Sequence, residues 1–326
     1  VVILNKDSNN ETNNGSSNVL LALEVVFLSV MILILGVYTF TSFNSFSDKL
    51  DDNMYSLNND LNNGFNSDLS VINKYSLEGL DISIGKEGYD SVFKFCRNPS
   101  TGTSEEVIWD LGDDYTFLNS SEPLRIVSTS VDDVYGGDGS WNIAVYGLDN
   151  DYNEIFEIVT LNGTTPVYTQ NSYVRTYRSH VINSGLATAI ENANLGDITL
   201  TANDSNIAQA AILTHNGQTL MCVYTVPNDK TAFVTGISVN VGQGKQAFMK
   251  AKARNCDNSS ICSFSTKYSI DLYQDTFFGE LRVPLRLEEK TDVVFTSELS
   301  STPEVTTSGS FGLILIDNEL LPELEQ

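Results

Sequence analysis

Basic charge is scarce. Against 42 Asp and Glu stand 18 Lys and Arg, scattered over the whole length, and the formal net charge is −24. With no basic patch and long-range repulsion of phosphates, the chain is not expected to bind nucleic acid. Histidine is scarcer still. His180 and His215 stand alone, with no Cys, His or carboxylate at metal-ligand spacing, which argues against a zinc site. No Ser, His and Asp occur in a nucleophile-elbow context, and no glycine-rich loop precedes a helix, so no enzyme and no cofactor are expected. Four cysteines in 326 residues are too few for a disulfide scaffold. Cys256 and Cys262 bracket a polar loop, where either a local disulfide or two free thiols is compatible with the spacing. Proline is absent from residues 1–98.

Hydrophobic residues make up 41% of the chain, enough for a packed core. The length suggests about two domains at roughly 150 residues each. Residues 1–18, polar from Asn5 onward, read as a disordered N-terminal segment. Residues 19–43, VLLALEVVFLSVMILILGVYTFTSF, carry one charge, Glu24. Twenty residues of helix span about 30 Å, the thickness of a bilayer core. The flanks lack the basic start and cleavage site of a signal peptide. The expectation is a single-pass membrane anchor presenting Val19, Leu20, Leu23, Val26, Phe27, Met31, Leu33, Leu35, Tyr38 and Phe40 to lipid, with Glu24 near one end. A glutamate at the start of an apolar helix also bears a faint likeness to type IV pilins, which leaves a pilin-like filament subunit as a minor alternative.

Residues 44–80 read as an amphipathic helical stalk. Phe43, Phe46, Leu50, Met54, Leu57, Leu61, Phe65, Leu69 and Ile72 recur every three or four positions. One narrow apolar stripe needs a partner helix or a protein surface to cover it.

Beyond residue 82 the period becomes two. Some fourteen segments alternate, from SVFKFC at 91–96 to SGSFGLILID at 308–317. In 231–242, strict alternation places Phe233, Thr235, Ile237, Val239 and Val241 on one face. Turn residues separate the segments: Asp149-Asn150-Asp151, Asn162-Gly163, Asn216-Gly217 and Pro227-Asn228-Asp229. The fold class is mainly β: an antiparallel β-sandwich or jelly-roll head on a long N-terminal α-helix. Two modules are expected, 82–183 and 196–317, with 184–196 as a loop or short helix between them and 318–326 as an acidic tail.

Residues 94–118, KFCRNPSTGTSEEVIWDLGDDYTFL, resemble the opening of a family of phage and marine-virus virion structural proteins. In that family a K-F-G-R-N-P … W-D-x-G-G-x-Y segment leads a β module. The resemblance continues through Tyr146–Glu154 (YGLDNDYNE), Thr160–Val167 (TLNGTTPV), Tyr173–Arg178, Gly196-Asp197-Ile198 and Gly217–Phe233 (GQTLMCVYTVPNDKTAF). It covers about residues 86–255, half the chain. It implies a virion location and capsid or other virion proteins as partners, and it assigns no catalytic residues. Cys96 stands where the family commonly has Gly, and free-standing modules lack the anchor and stalk. An anchored head resembles the membrane-containing large DNA viruses, so the implied partners include a lipid bilayer and further copies in an oligomer. A receptor- or glycan-binding surface adhesin is the alternative.

Two loops offer oxygen ligands for Ca²⁺: Asp132, Asp133 and Asp138 in the first, Asp149, Asp151 and Asn153 in the second. Neither completes an EF-hand pattern, and turn residues at strand ends are the plainer reading. Trp109, Trp141 and the tyrosines are candidates for stacking on sugars, with core or interface roles commoner. Six Asn-x-Ser/Thr sequons, at Asn10, Asn14, Asn119, Asn162, Asn203 and Asn258, carry little weight in a chain of 32 asparagines.

Overall fold

The computed structural model describes residues 26–33, 35–37, 49, 79–185, 194–242, 244–256, 262–273 and 275–321. It divides into two compact units, 1–77 and 78–326.

In the first unit, residues 26–33 and 35–37 are helical, and their side chains are exposed. Val26, Phe27, Met31, Leu33 and Leu35 of the expected anchor lie here, each more than two-fifths exposed. Val19, Leu20, Leu23, Tyr38 and Phe40, and the whole stripe from Phe43 to Ile72, lie outside the described residues. Among the described residues no helix is long and apolar enough to cross a membrane. The long N-terminal helix expected from the sequence is therefore not evident there.

The second unit opens with a helical turn at 79–83 and continues in strands. In chain order these are β1 (Tyr89–Thr101), β2 (Glu106–Val107), β3 (Glu122–Ser128), β4 (Ser140–Leu148), β5 (Glu154–Thr160), β6 (Val167–Tyr173), β7 (Arg175–Ser184) and β8 (Ile198–Ala202). Then come β9 (Ala208–Ile212), β10 (Val223–Thr225), β11 (Lys230–Val241), β12 (Gln246–Asn255), β13 (Ser265–Tyr273), β14 (Thr276–Leu287), β15 (Thr291–Leu299) and β16 (Val305–Asp317). A short 3₁₀ turn, Asn318–Leu320, follows. Among the described residues pairing is antiparallel throughout, in four sheets ordered β1-β16-β11-β14, β10-β15-β12-β13 with β2 also on β15, β6-β3-β8-β9, and β5-β4-β7.

Two apolar cores sit between these sheets. In the first, Cys96, Val234, Ile237, Phe311 and Leu313 meet Ala247, Met249, Val293 and Phe295. In the second, Leu124, Ile126, Ile198 and Leu200 meet Ile143, Val145, Val159 and Val181. The architecture is thus two β-sandwiches, but they are not divided at 183/196. β1 and β2 pair with β16 and β15, while β8 and β9 continue the sheet of β3. The sandwich of β3–β9 is inserted into the other one. Local alternation specifies strands and their faces. It says nothing of which distant strand completes a sheet, and this long-range pairing moves the boundary.

β11 corrects a second expectation. Ala232 and Val234 are buried, then Ile237, Val239 and Val241, so the buried set changes phase. Pairing with both β14 and β16 shifts between Val234 and Gly236. A β-bulge at Thr235 inserts one residue, and one residue flips every later side chain to the other face.

Candidate functional site

The acidic loops are assembled as turns. Asp133 is fully buried, and its Oδ1 accepts the Ser140 and Leu195 amides at 2.8 and 2.9 Å. Its Oδ2 accepts the Gly196 amide at 3.0 Å and the Ser128 hydroxyl. This carboxylate clips the end of β3, the start of β4 and the approach to β8 together. Gly196 is required there, because a Cβ would collide with the Ser130 nitrogen. Asp149 closes the β4–β5 turn, its Oδ1 accepting the Asp151 and Asn153 amides at 2.8 and 2.9 Å. Tyr152 takes the positive φ of 66° that the turn needs. Asp132, Asp138 and Asp151 are exposed. Among the described residues no three carboxylates, histidines or cysteines gather as a metal site. The two best-placed carboxylates, Asp133 and Asp149, serve backbone donors of their own loops.

The dense chemistry lies in the seam between the sandwiches. Arg175 of β7 sends Nε to Asp292 Oδ1 at 2.8 Å and Nη2 to Oδ2 at 3.1 Å. Its Nη1 donates to the carbonyls of Leu118 and Val174. Asp292 of β15 also accepts Arg254 Nε at 3.0 Å and the Thr225 hydroxyl at 2.6 Å. Both guanidinium groups lie over the Phe117 ring, at 4.9 and 4.7 Å. Burial lowers the pKa of Arg175, but the Asp292 carboxylate outweighs it and the guanidinium is held more firmly charged than usual.

Nearby, buried Lys94 of β1 donates from Nζ to the Tyr177 carbonyl of β7. Burial, helped by Arg178, pushes its pKa down to about 7, and Asp110 opposes the fall. Asp110 accepts the Leu220 amide, and Asn216 lies at 3.5 Å. Burial pushes its carboxyl up to about 7 against these donors and the charges of Arg97 and Lys94. A disulfide joins Cys96 of β1 to Cys222, and a second joins Cys256 to Cys262.

None of the seam residues was singled out from sequence. They come from strands far apart in the chain, so no spacing announces them. One signal was available for Lys94 and Asp110: a lone charge in an apolar run, as in VFKFC and VIWDL. Of the residues that were singled out, His180 stacks on Tyr146 at 5.6 Å with its Nδ1 unpartnered. Burial, then Arg178, lowers its pKa. Trp109 is buried and donates to the Gly112 carbonyl. Trp141 packs on exposed Tyr135 at 5.2 Å.

No family model and no curated protein matches the chain. Weak structural neighbours are viral capsid proteins. "Structure of infectious bursal disease virus Gt strain" is 10% identical, covering 71% of this chain and 73% of that one, with a TM-score of 0.17. "Structure of infectious bursal disease virus Gx strain" is 10% identical over 71% and 72%, TM-score 0.19. "Crystal structure of infectious bursal disease virus VP2 subviral particle" is 12% identical over 72% and 74%, TM-score 0.14. Scores this low do not define a common fold.

Proposed function

We propose that this chain is a non-enzymatic virion structural protein, a minor capsid or capsid-associated subunit whose β head is tied to a viral membrane by the apolar segment 19–43. The observation that supports it is where the family-like blocks fall. Lys94, Asn98, Trp109 and Asp110 are buried. Arg175, from the Tyr173–Arg178 block, anchors the seam. The 217–233 block crosses it, Thr219 donating to the Ser179 carbonyl and Asn228 to the Tyr152 carbonyl, while on the enclosing side Leu220 meets Asp110 and Cys222 bonds Cys96. The residues that carry the resemblance act by holding two sandwiches in one body, which is what a load-carrying shell subunit needs. The helical residues 26–33 and 35–37, apolar and uncovered, support the tether.

The test is location and lipid dependence. The purified full chain should float with liposomes, and a variant lacking 19–43 should stay at the bottom of the gradient. In intact particles the protein should crosslink to shell subunits and remain after detergent treatment that spares the shell. Loss from particles under mild detergent would favour an exposed spike, and a chain that never floats would overturn the tether. The glycan-binding adhesin remains a second reading because Tyr135, 70% exposed, packs at a tilt beside Trp141. A glycan-array signal abolished by Tyr135→Ala would decide for it.

A further inference from the structure

The sandwich of β1, β2 and β10–β16 is open between two of its edge strands, β13 and β14. Both edges bulge there. On β14, pairing with β11 jumps from Glu280 to Leu285, so residues 281–284 loop away from the ladder around Pro284. On β13, Tyr268 and Thr266 face consecutive residues of β12, and Lys267 is left unpaired. Bulges and proline blunt an edge against strand addition. Here they also leave a cleft of about 340 Å³ that runs into the core. Its floor is Val234, Ile237, Val293, Phe295 and Phe311. Leu281 and Val283 stand at its mouth, Val283 84% exposed.

The volume lies at the small end of ligand pockets, which run roughly 300–1,000 Å³. The charge of the lining is inverted relative to the molecule. Lys252, Lys267 and Arg286 line the cleft and no acidic residue does, in a chain where acidic residues outnumber basic ones 42 to 18. Lys252 is paired to Glu105 at 2.7 Å, so the selectivity falls to the exposed mouth, chiefly Lys267. A deep apolar floor beneath a cationic rim fits one ligand chemistry: a single acyl chain inside, an anionic head outside.

We propose that the cleft between β13 and β14 binds a single-chain anionic amphiphile of the fatty-acid class. The acyl chain lies along the core residues and the carboxylate faces Lys267. The proposal does not depend on the virion reading.

A diazirine-bearing dodecanoate, photolysed with the full chain in phosphatidylcholine vesicles and mapped by mass spectrometry, tests it. Label is expected on residues 281–287 and at Tyr268, with label elsewhere reporting only partitioning. Unlabelled fatty acids should compete about fourfold better per added methylene until the cleft is full. Dodecyltrimethylammonium, with the same chain and the opposite charge, should compete at least tenfold worse. Lys267→Glu, on an exposed bulge, should leave the melting temperature unchanged and bring the two competitors level or reverse them. Absence of saturable label at these residues, equal competition by the cationic amphiphile, or an unchanged ratio in Lys267→Glu would overturn the proposal. Displacement by an acidic apolar peptide in place of any fatty acid would do the same, assigning the cleft to a protein partner.

Discussion

At the residue scale, the decisive contacts are buried charges, and their worth depends on what remains when one is removed. Asp292 holds two guanidinium groups, and the Arg175 and Asp292 side chains are 7% and 2% exposed. Taking away one partner of a buried pair strands the other charge and costs about 3–5 kcal/mol. Asp292→Asn should therefore lower the urea-unfolding free energy by at least about 3 kcal/mol. Asp90→Asn, which breaks the pair of Lys230 with an Asp90 side chain 58% exposed, should cost no more than about 1 kcal/mol. Equal losses would mean that the seam is not the stabilising element.

Lys94 and Asp110 give the seam a pH signature. In the fold Lys94 keeps its proton only below about 7, against 10.5 ordinarily. Between those values the unfolded chain binds the extra proton, so this site's contribution to stability rises as pH climbs from about 7. Asp110 runs the other way. Its folded carboxyl stays protonated to about 7 against 3.8 ordinarily, so its contribution falls as pH rises from about 4 to 7. Lys94→Met should remove the rise above pH 7, measured as the difference in unfolding free energy between pH 7 and 9.5. A rise that survives the substitution would place its origin elsewhere.

At the scale of elements, strands were legible because a half-buried strand must alternate. The runs PLRIVSTS (123–130) and EIFEIVTL (154–161) alternate in the sequence and coincide closely with β3 and β5. β9, AQAAI, lacks alternation because nearly every residue is buried, and β6, VYTQNSY, is polar through its middle. The long segments 106–111 and 217–226 shrink to β2 and β10, since Gly112 and Gly217 take positive φ and their neighbours turn into the seam. The seam itself was illegible, because the 117-residue separation between Arg175 and Asp292 leaves no local trace. Long separation also has an energetic consequence for the Cys96–Cys222 disulfide inside the enclosing sandwich. In the loop-entropy account, closing 126 residues stabilises by about 5 kcal/mol and closing the 6-residue Cys256–Cys262 loop by about 2. Cys96→Ala/Cys222→Ala should thus cost more than twice as much as Cys256→Ser/Cys262→Ser in urea unfolding. The reverse order would mean that native contacts, not the unfolded chain, set the effect.

At the scale of the whole folded unit, the inserted sandwich does not own its core. Trp109, Met221, Val223 and Val294 belong to the enclosing sandwich or its connections, yet they pack with Leu124, Ile143 and Ile198. Across the seam Arg175 pairs with Asp292, and Lys94 donates to the Tyr177 carbonyl. Two domains sharing a core and buried charges gain little by opening separately, because each would expose apolar surface and strand a charge. Calorimetry of residues 78–326 should then give one transition, with van't Hoff and calorimetric enthalpies in agreement. A fragment of residues 115–216, which contains every strand of the inserted sandwich but none of those four side chains, should lack a cooperative melt. A fragment that melts sharply on its own, or two resolved transitions in the longer unit, would show the seam to be a contact between finished domains and not part of a single fold.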